Sequence, residues 1–373
     1  MARATKKKPV EGITARVPAA RQFHMPAEWE NHDATWIAWP HRRADWPGKF
    51  APIPWVYGEI VRWLSQSESV HILINDSKAE KQAAEILKQV GADLKQIRFW
   101  HLATDRVWTR DYGPIFLIGP DGQKGMLDFR FNGWAKYRDW KHDDAIPAQI
   151  AKALKVPTWQ PAFDGKRIVL EGGAIDVNGA GLLLTTEECL LSEVQARNPG
   201  MTRPELEQVF SDYLGVKKTL WLNRGITGDD THGHVDDLAR FVGVRTVVAV
   251  EETHSTDPNY VPLQENLERL RGFTDLEGRE LEIVTLPMPE PLYLQAQRLP
   301  ASYANFYIAN RVVLVPTFND PHDRIALGTI SDLFPGRKVV GIHAVDLVWG
   351  LGTLHCMTQQ EPAANADGDS ANE

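Results

Sequence analysis

The stretch Ala239-Arg-Phe-Val-Gly-Val-Arg-Thr-Val-Val-Ala-Val250 decides the fold of this chain. Two apolar runs flank the turn pair Val244-Arg245, the pattern of a β-hairpin. Apolar residues at helical spacing over 263–270 then predict an amphipathic helix. A single short strand over 281–286 follows, and a polar loop ends the unit.

The same order recurs along the chain. Strand pairs are expected at 34–40, at 113–118 with 125–130, at 174–185 and at 305–316, with turns at Asn178-Gly179 and Asn310-Arg311. Helices are expected at 146–154, 205–214 and 326–334, and single strands at 97–103, 157–163, 218–223 and 339–344. About five units with a period of roughly 60–80 residues signal a radial or stacked α/β repeat rather than a two-domain enzyme.

The chain has 373 residues, 43% hydrophobic and 24% charged, with a net charge of -8. That composition is globular, carries no basic stripe for nucleic acid, and mildly favours cationic small molecules. Two cysteines far apart do not make a disulfide framework, so a cytoplasmic setting is expected. The basic N-terminus lacks a following apolar stretch, so neither a signal peptide nor a membrane anchor is expected. Residues 1–22 read as a loose, disordered arm, 23–362 as one catalytic domain, and the polar residues 363–373 as a disordered acidic tail.

Polar chemistry collects in the loops after the single strands. They are Thr104-Asp-Arg-Val-Trp-Thr-Arg-Asp111, Arg167-Ile-Val-Leu-Glu-Gly-Gly173, Gly228-Asp-Asp-Thr-His-Gly-His-Val-Asp-Asp237 and Trp349-Gly-Leu-Gly-Thr-Leu-His-Cys356. Repeats about a pseudo-axis bring such loops to one end. The shared site then holds a thiol (Cys356), an imidazole (His234) and three carboxylates (Asp111, Glu171 and Asp236). Three acids in one pocket repel unless a cation lies between them. A metal on His232, His234 and Asp236 is one answer, with the ligand alternation of a zinc hydrolase. Asp237 stands where such a site would place another histidine. A guanidinium is the other answer: it is planar, stays charged and matches carboxylates bidentately. Its central carbon then faces the sulfur, and the histidine moves the protons. A non-catalytic guanidino-binding module is a third answer.

Together these residues resemble the agmatine deiminase family, which contains the Porphyromonas-type peptidyl-arginine deiminases, within the pentein superfamily. The motifs are Met25-Pro-Ala-Glu-Trp-Glu30, Thr35-Trp-Ile-Ala-Trp-Pro40, Trp108-Thr-Arg-Asp-Tyr-Gly-Pro114, Glu171-Gly-Gly173, Leu183-Leu-Thr-Thr-Glu-Glu-Cys-Leu190, His232-Gly-His-Val-Asp236 and Leu354-His-Cys-Met-Thr-Gln-Gln360. The resemblance implies a five-bladed α/β propeller acting on a small cationic guanidino substrate, without metal or organic cofactor. It implies Cys356 as nucleophile, His234 as general acid/base, and Asp111, Glu171 and Asp236 as acids around the guanidinium. The expected reaction is agmatine to N-carbamoylputrescine plus ammonia, a step toward polyamines. Another guanidino compound or peptidyl-arginine is the alternative substrate. A homo-oligomer is expected, with no nucleic-acid or membrane partner. One departure concerns substrate choice: family members acting on agmatine read Gly-Gly-Gly-Asn-Ile-His-Cys where this chain reads Gly350-Leu-Gly-Thr-Leu-His-Cys356.

Other residues take structural readings. Trp108 is placed on the substrate, by stacking. Trp36, Trp39, Trp46, Trp55, Trp134 and Trp140 read as core or rim packing, and Cys189 as a small buried hydrophobe. Asp229 and Asp230 read as a solvated loop face or as anchors for a distal amine. Arg110 reads as an ion-pair partner inside the protein.

Overall fold

The computed structural model describes residues 17–364. Of the expected N-terminal arm, residues 1–16 lie outside this range, as do residues 365–373 of the expected tail. Within the range, Ala19–Arg21 form a single 3-10 turn.

Five sheets share one strand order: an antiparallel partner, a central strand, then a parallel strand reached through a helix. The second pairs Ile115–Ile118 with Lys124–Leu127 and then Thr158–Trp159. The third runs Asp176–Val177, Leu182–Thr186, Lys218–Leu222. The fourth runs Ala239–Phe241, Thr246–Glu251, Glu282–Pro287, and the fifth Tyr307–Ile308, Val312–Thr317, Lys338–His343. The central strands of the third, fourth and fifth sheets are mostly apolar runs, as strands covered on both faces must be; Leu182–Thr186 is buried throughout.

The first sheet differs. His32–Ala38 takes its antiparallel partner from the far end of the chain, Thr358–Pro362. On its other side it pairs in parallel with Ser69–Ile74, which pairs with Ile97–His101. Neither Thr358–Pro362 nor Ser69–Ile74 was expected, nor were the helices Ile53–Leu64 and Ser77–Gln89. The second helix has a sequence signal that was passed over: Asp76 accepts the backbone N–H of Lys78 and of Ala79 at 2.8 Å each, an N-cap.

The expected helices are present: Ile146–Leu154 keeps its expected ends, and the other three shift theirs. Tyr260–Arg271 turns Leu263, Asn266, Leu267 and Leu270 inward. Thr202 and Glu205 form a capping box before Arg203–Val209, whose last turn widens over Phe210–Leu214. The strand expected over 157–163 is broken, because Pro161 has no N–H to offer a ladder. Thr158–Trp159 joins the second sheet, while Ala162–Phe163 pairs with Lys166–Arg167.

Trp36 and Trp39 lie in the apolar core, as read from sequence. Trp55 is a correction: it is 46% exposed on an outer helix. Among the described residues no helix is long and apolar enough to cross a membrane.

Candidate active site

The loops after the sheets converge. His234 Nδ1 lies 3.7 Å from Asp111 Oδ1 and 4.0 Å from Asp236 Oδ1, and its Nε2 lies 3.7 Å from Glu171 Oε2. Cys356 Sγ is 3.7 Å from Asp236 Oδ2. The five residues expected to meet therefore occupy one buried cluster. Both ring nitrogens of His234 lack hydrogen-bond partners, as does Asp236 Oδ1, though all are buried. Unpaired buried polar atoms are costly, so they mark where a polar ligand completes the set.

A cavity of about 300 Å³ opens onto the cluster. Cys356 and Asp111 lie along its wall with Trp108, Trp134, Asp230 and Leu351. Backbone carries the cluster because no side chain would fit. A Cβ on Gly173 would sit 2.5 Å from His234 Nδ1 and 2.8 Å from Asp111 Oδ1. One on Gly352 would sit 2.8 Å from the Trp108 ring. Gly173→Ala is thus expected to lower kcat/KM by about 100-fold or more, the cost of a displacement near 1 Å, while the thermal midpoint drops only a few degrees. Steady-state assay beside a melting curve checks it.

Charge states follow from the surroundings. Burial is the largest influence on Glu171 and pushes its carboxyl up, but Arg197 and His234 overcome it and hold the pKa at about 2. Arg197 lies 3.1 Å from Glu171 Oε1, both side chains fully buried. Burial raises Asp111, as do Asp236 and Glu171, against the lowering effect of His234; the result is about 6. Burial would discharge His234, yet Asp111, Cys189 and Glu171 hold its pKa well above the usual imidazole range. Burial raises the Cys356 thiol well above its ordinary value, and Asp236, Asp237 and Asp111 add to this. The ligand-free site therefore pairs a neutral thiol with an imidazolium. A bound cation reverses the electrostatics at sulfur.

Several functional contacts were not legible in the sequence. Asn305 Nδ2 donates to Cys356 Sγ at 3.1 Å and to Asp237 Oδ1 at 3.0 Å. Its Oδ1 accepts from Thr353 Oγ1 at 2.8 Å and His355 N at 3.0 Å, so it fixes the whole cysteine loop. Trp134 was read as packing; in fact its Nε1 donates to Asp111 Oδ2 at 2.9 Å at the cavity. Trp46 is fully buried and donates to the Leu347 carbonyl, which supports the same loop from below. Trp108 lines the cavity while packing 5.9 Å from Trp46. Trp140 is half-buried beneath the Arg130 guanidinium.

Asp229 and Asp230 divide the roles assigned to them jointly. Asp229 Oδ2 accepts from Gly233 N and His234 N at 2.7 and 3.0 Å, which shapes the histidine loop. Asp230 lines the cavity and accepts from Tyr137 Oη at 2.6 Å. Arg110 pairs with Glu28 at 3.2 Å, turned inside the protein as expected. Cys189 is buried, but it is more than an inert hydrophobe: its sulfur lies within 4.8 Å of ligand atoms of Glu171 and His234. His232 does not complete a zinc triad. It adopts φ 65° and turns toward Ser192 and Glu188, at 3.3 and 3.9 Å.

A thiol, an imidazole and three carboxylates thus meet beside a small cavity, a set with the chemistry to bind a cation and to attack an electron-poor carbon. The profile of the Porphyromonas-type peptidyl-arginine deiminases matches residues 24–362. A Legionella pneumophila protein provisionally assigned as an agmatine deiminase is 35% identical, covering 92% of this chain and 97% of the relative. Agmatine deiminase of Enterococcus faecalis, solved catalysing its reaction, superposes with a TM-score of 0.86 at 32% identity, covering 94% and 98% of the two chains. A cysteine-to-serine variant of a C. jejuni agmatine deiminase, solved with substrate bound, gives 0.80 at 29% identity, covering 91% and 96%. The chain belongs to the Porphyromonas-type peptidyl-arginine deiminase family, with agmatine deiminases among its relatives, and is a hydrolase of the type that acts on C–N bonds of amidines.

Proposed function

We propose that this protein deiminates a small guanidino substrate, agmatine in first place, through a covalent bond to Cys356. The observation that carries this reading is the buried cluster of Cys356, His234, Asp111, Glu171 and Asp236, with Cys356 and Asp111 opening onto a cavity of about 300 Å³. That volume sits at the small end of ligand sites and suits an alkyl guanidine better than a peptide. The agmatine deiminases among its relatives favour agmatine as substrate.

In this scheme Asp111 and Asp236 accept the guanidinium N–H groups, and Trp108 packs on the substrate. The bound positive charge lowers the cost of a sulfur anion, so the Cys356 thiol gives up its proton to solvent water in the cavity and the thiolate attacks the central carbon. The His234 imidazolium donates a proton to one nitrogen, the C–N bond breaks and ammonia departs. A thiouronium joins substrate to Cys356. His234, now neutral, takes a proton from water; hydroxide adds to the same carbon, and the C–S bond breaks to give a ureido product. Glu171, held by Arg197, keeps His234 charged before the first step. No step calls for a metal or organic cofactor.

The five sheets of matching order support a second part of the reading, that they stand as five blades around a common axis with the site at its end. Strand Thr358–Pro362 pairing with His32–Ala38 would close the ring. A cytoplasmic homo-oligomer completes the proposal; the two free cysteines, Cys189 and Cys356, fit a reducing compartment.

Ammonia release measured with agmatine, free arginine and a blocked arginine peptide tests the substrate, with agmatine expected to show the highest kcat/KM. Turnover of the peptide alone would overturn the choice. The pH profile tests the acids. Asp111 must be ionised to hold a guanidinium, so kcat/KM should fall as pH drops through about 6. Trp134→Phe removes a hydrogen bond to the Asp111 carboxylate and should move that limb to higher pH. A limb that ignores both would contradict the assignment.

A further inference from the structure

We propose that His355 and Glu28 form a positioning pair behind the site, fixing Asp236 as an anion with one oxygen free to receive the substrate. This rests on the deiminase reading and adds two residues to it. His355 Nδ1 lies 2.7 Å from Asp236 Oδ2, and its Nε2 lies 2.8 Å from Glu28 Oε2. All three side chains are buried. A neutral imidazole carries one N–H, so where Glu28 and Asp236 are both held as carboxylates, facing the two at these distances has both nitrogens donating.

Glu28 is itself anchored as a carboxylate. Arg110 lies 3.2 Å from its Oε2, Arg240 lies 2.9 Å from its Oε1, and the backbone N–H of Ile308 donates to Oε1 at 2.9 Å. This accounts for Glu28 in the motif Met25-Pro-Ala-Glu-Trp-Glu30, to which the catalytic scheme gives no task. The His355 backbone is held as well, its N–H by Asn305 Oδ1 at 3.0 Å and its carbonyl by Arg110 Nε at 3.3 Å.

Asp236 sits among Asp111, Asp237, Cys356, His234 and Arg240. Without His355, burial and the nearby Asp111 would push the Asp236 carboxyl up, with only His234 and Arg240 opposing them. His355 occupies Oδ2, leaving Oδ1 without a hydrogen bond on the His234 side. That lone oxygen is the one a guanidinium N–H can reach.

The pair differs from a structural clamp in its electrical consequence at sulfur. An ionised Asp236 opposes the Cys356 thiolate, so losing the His355 charge should make the free thiol more acidic while weakening substrate binding. The test compares His355→Phe, which keeps ring bulk, with His355→Asn, which keeps a donor at the Nδ1 position without the charge. Alkylation of Cys356 by iodoacetamide is followed against pH in ligand-free protein, and kcat/KM against pH with agmatine. His355→Phe should shift the alkylation midpoint to lower pH, move the acid limb of kcat/KM to higher pH, and raise KM about tenfold or more. His355→Asn should fall between, and carries the test should the Phe variant not fold. Folded variants with the wild-type alkylation profile and acid limb would overturn the proposal. The alkylation readout stands even if agmatine is not the substrate, so failure of the pair and failure of the deiminase reading give different results.

Discussion

Cys356→Ala is expected to abolish ammonia release from agmatine, with a loss of about 10⁴-fold or more, while leaving the protein folded. The magnitude follows from the chemistry. Without sulfur, water must attack the guanidinium carbon directly, and the carboxylates that bind the cation do not supply a nucleophile. The variant removes one small buried atom with a single side-chain donor, Asn305, so its stability cost should be about 1 kcal/mol. Substrate binding should persist, because Asp111, Asp236 and Trp108 remain. The check is steady-state ammonia release paired with calorimetric titration of agmatine: binding without turnover is the expected pattern. Cys356→Ser should lie close to alanine, since a hydroxyl in this acidic pocket is far harder to ionise than a thiol.

Arg240→Met should destabilise the protein by about 3–5 kcal/mol, the range for removing one partner from a buried ionic group. Arg240 is fully buried and joins separate parts of the chain: Glu28 near the N-terminus, Asp176 of the third sheet, and the Phe306 carbonyl beside the fifth. Methionine fills the stem, leaves the Asp176 carboxylate without its cation, and takes one of two arginines from Glu28. The sign of the pH dependence distinguishes this from a packing defect. Burial pushes Glu28 up, but Arg240, His355 and Arg110 outweigh it and hold its pKa well below the ordinary 4.5. A depressed carboxyl stabilises the native state above its unfolded pKa, and that stability is lost as pH falls through the folded value. Arg240→Met loses the largest single charge behind this contribution, so the gap to wild type should be widest near neutrality and shrink on acidification below 4.5. Denaturant melts over that range measure it, and a gap independent of pH would contradict the account.

The repeat was legible because hairpin, helix and single strand each have their own hydrophobic period, and four units keep all three. The first unit hid its architecture in two ways. Its antiparallel partner comes from Thr358–Pro362, more than three hundred residues away, and local patterning carries no sign of such a pairing. Its extra strand, Ser69–Ile74, broke the expected count. Cys356, His234 and the three acids stood out because their loops fell at matching places in the repeat. Asn305, His355, Glu28 and Arg197 did not, since each acts through a partner that only the folded chain supplies. Asn305 precedes a strand and has no local mark, although its amide holds Cys356, Thr353 and Asp237 together. Trp134 was lost among 13 tryptophans, where packing is the ordinary fate of an indole. Leu351, the departure noticed in the cysteine loop, adopts φ 69° at the cavity wall. A leucine in the left-handed region costs about 1–2 kcal/mol, so one of the two departures, Leu351 rather than Thr353, also strains the loop.

Intact-protein mass spectrometry on acid-quenched turnover is the most direct measurement of the covalent step. Mixing enzyme with excess agmatine and quenching within the first turnovers should give a species heavier by one substrate minus one ammonia, with the added mass on the peptide that contains Cys356. Ammonia release with the mass instead on the Cys189 peptide, or undiminished release from Cys356→Ala with no adduct at all, would show that sulfur at position 356 does not carry the reaction.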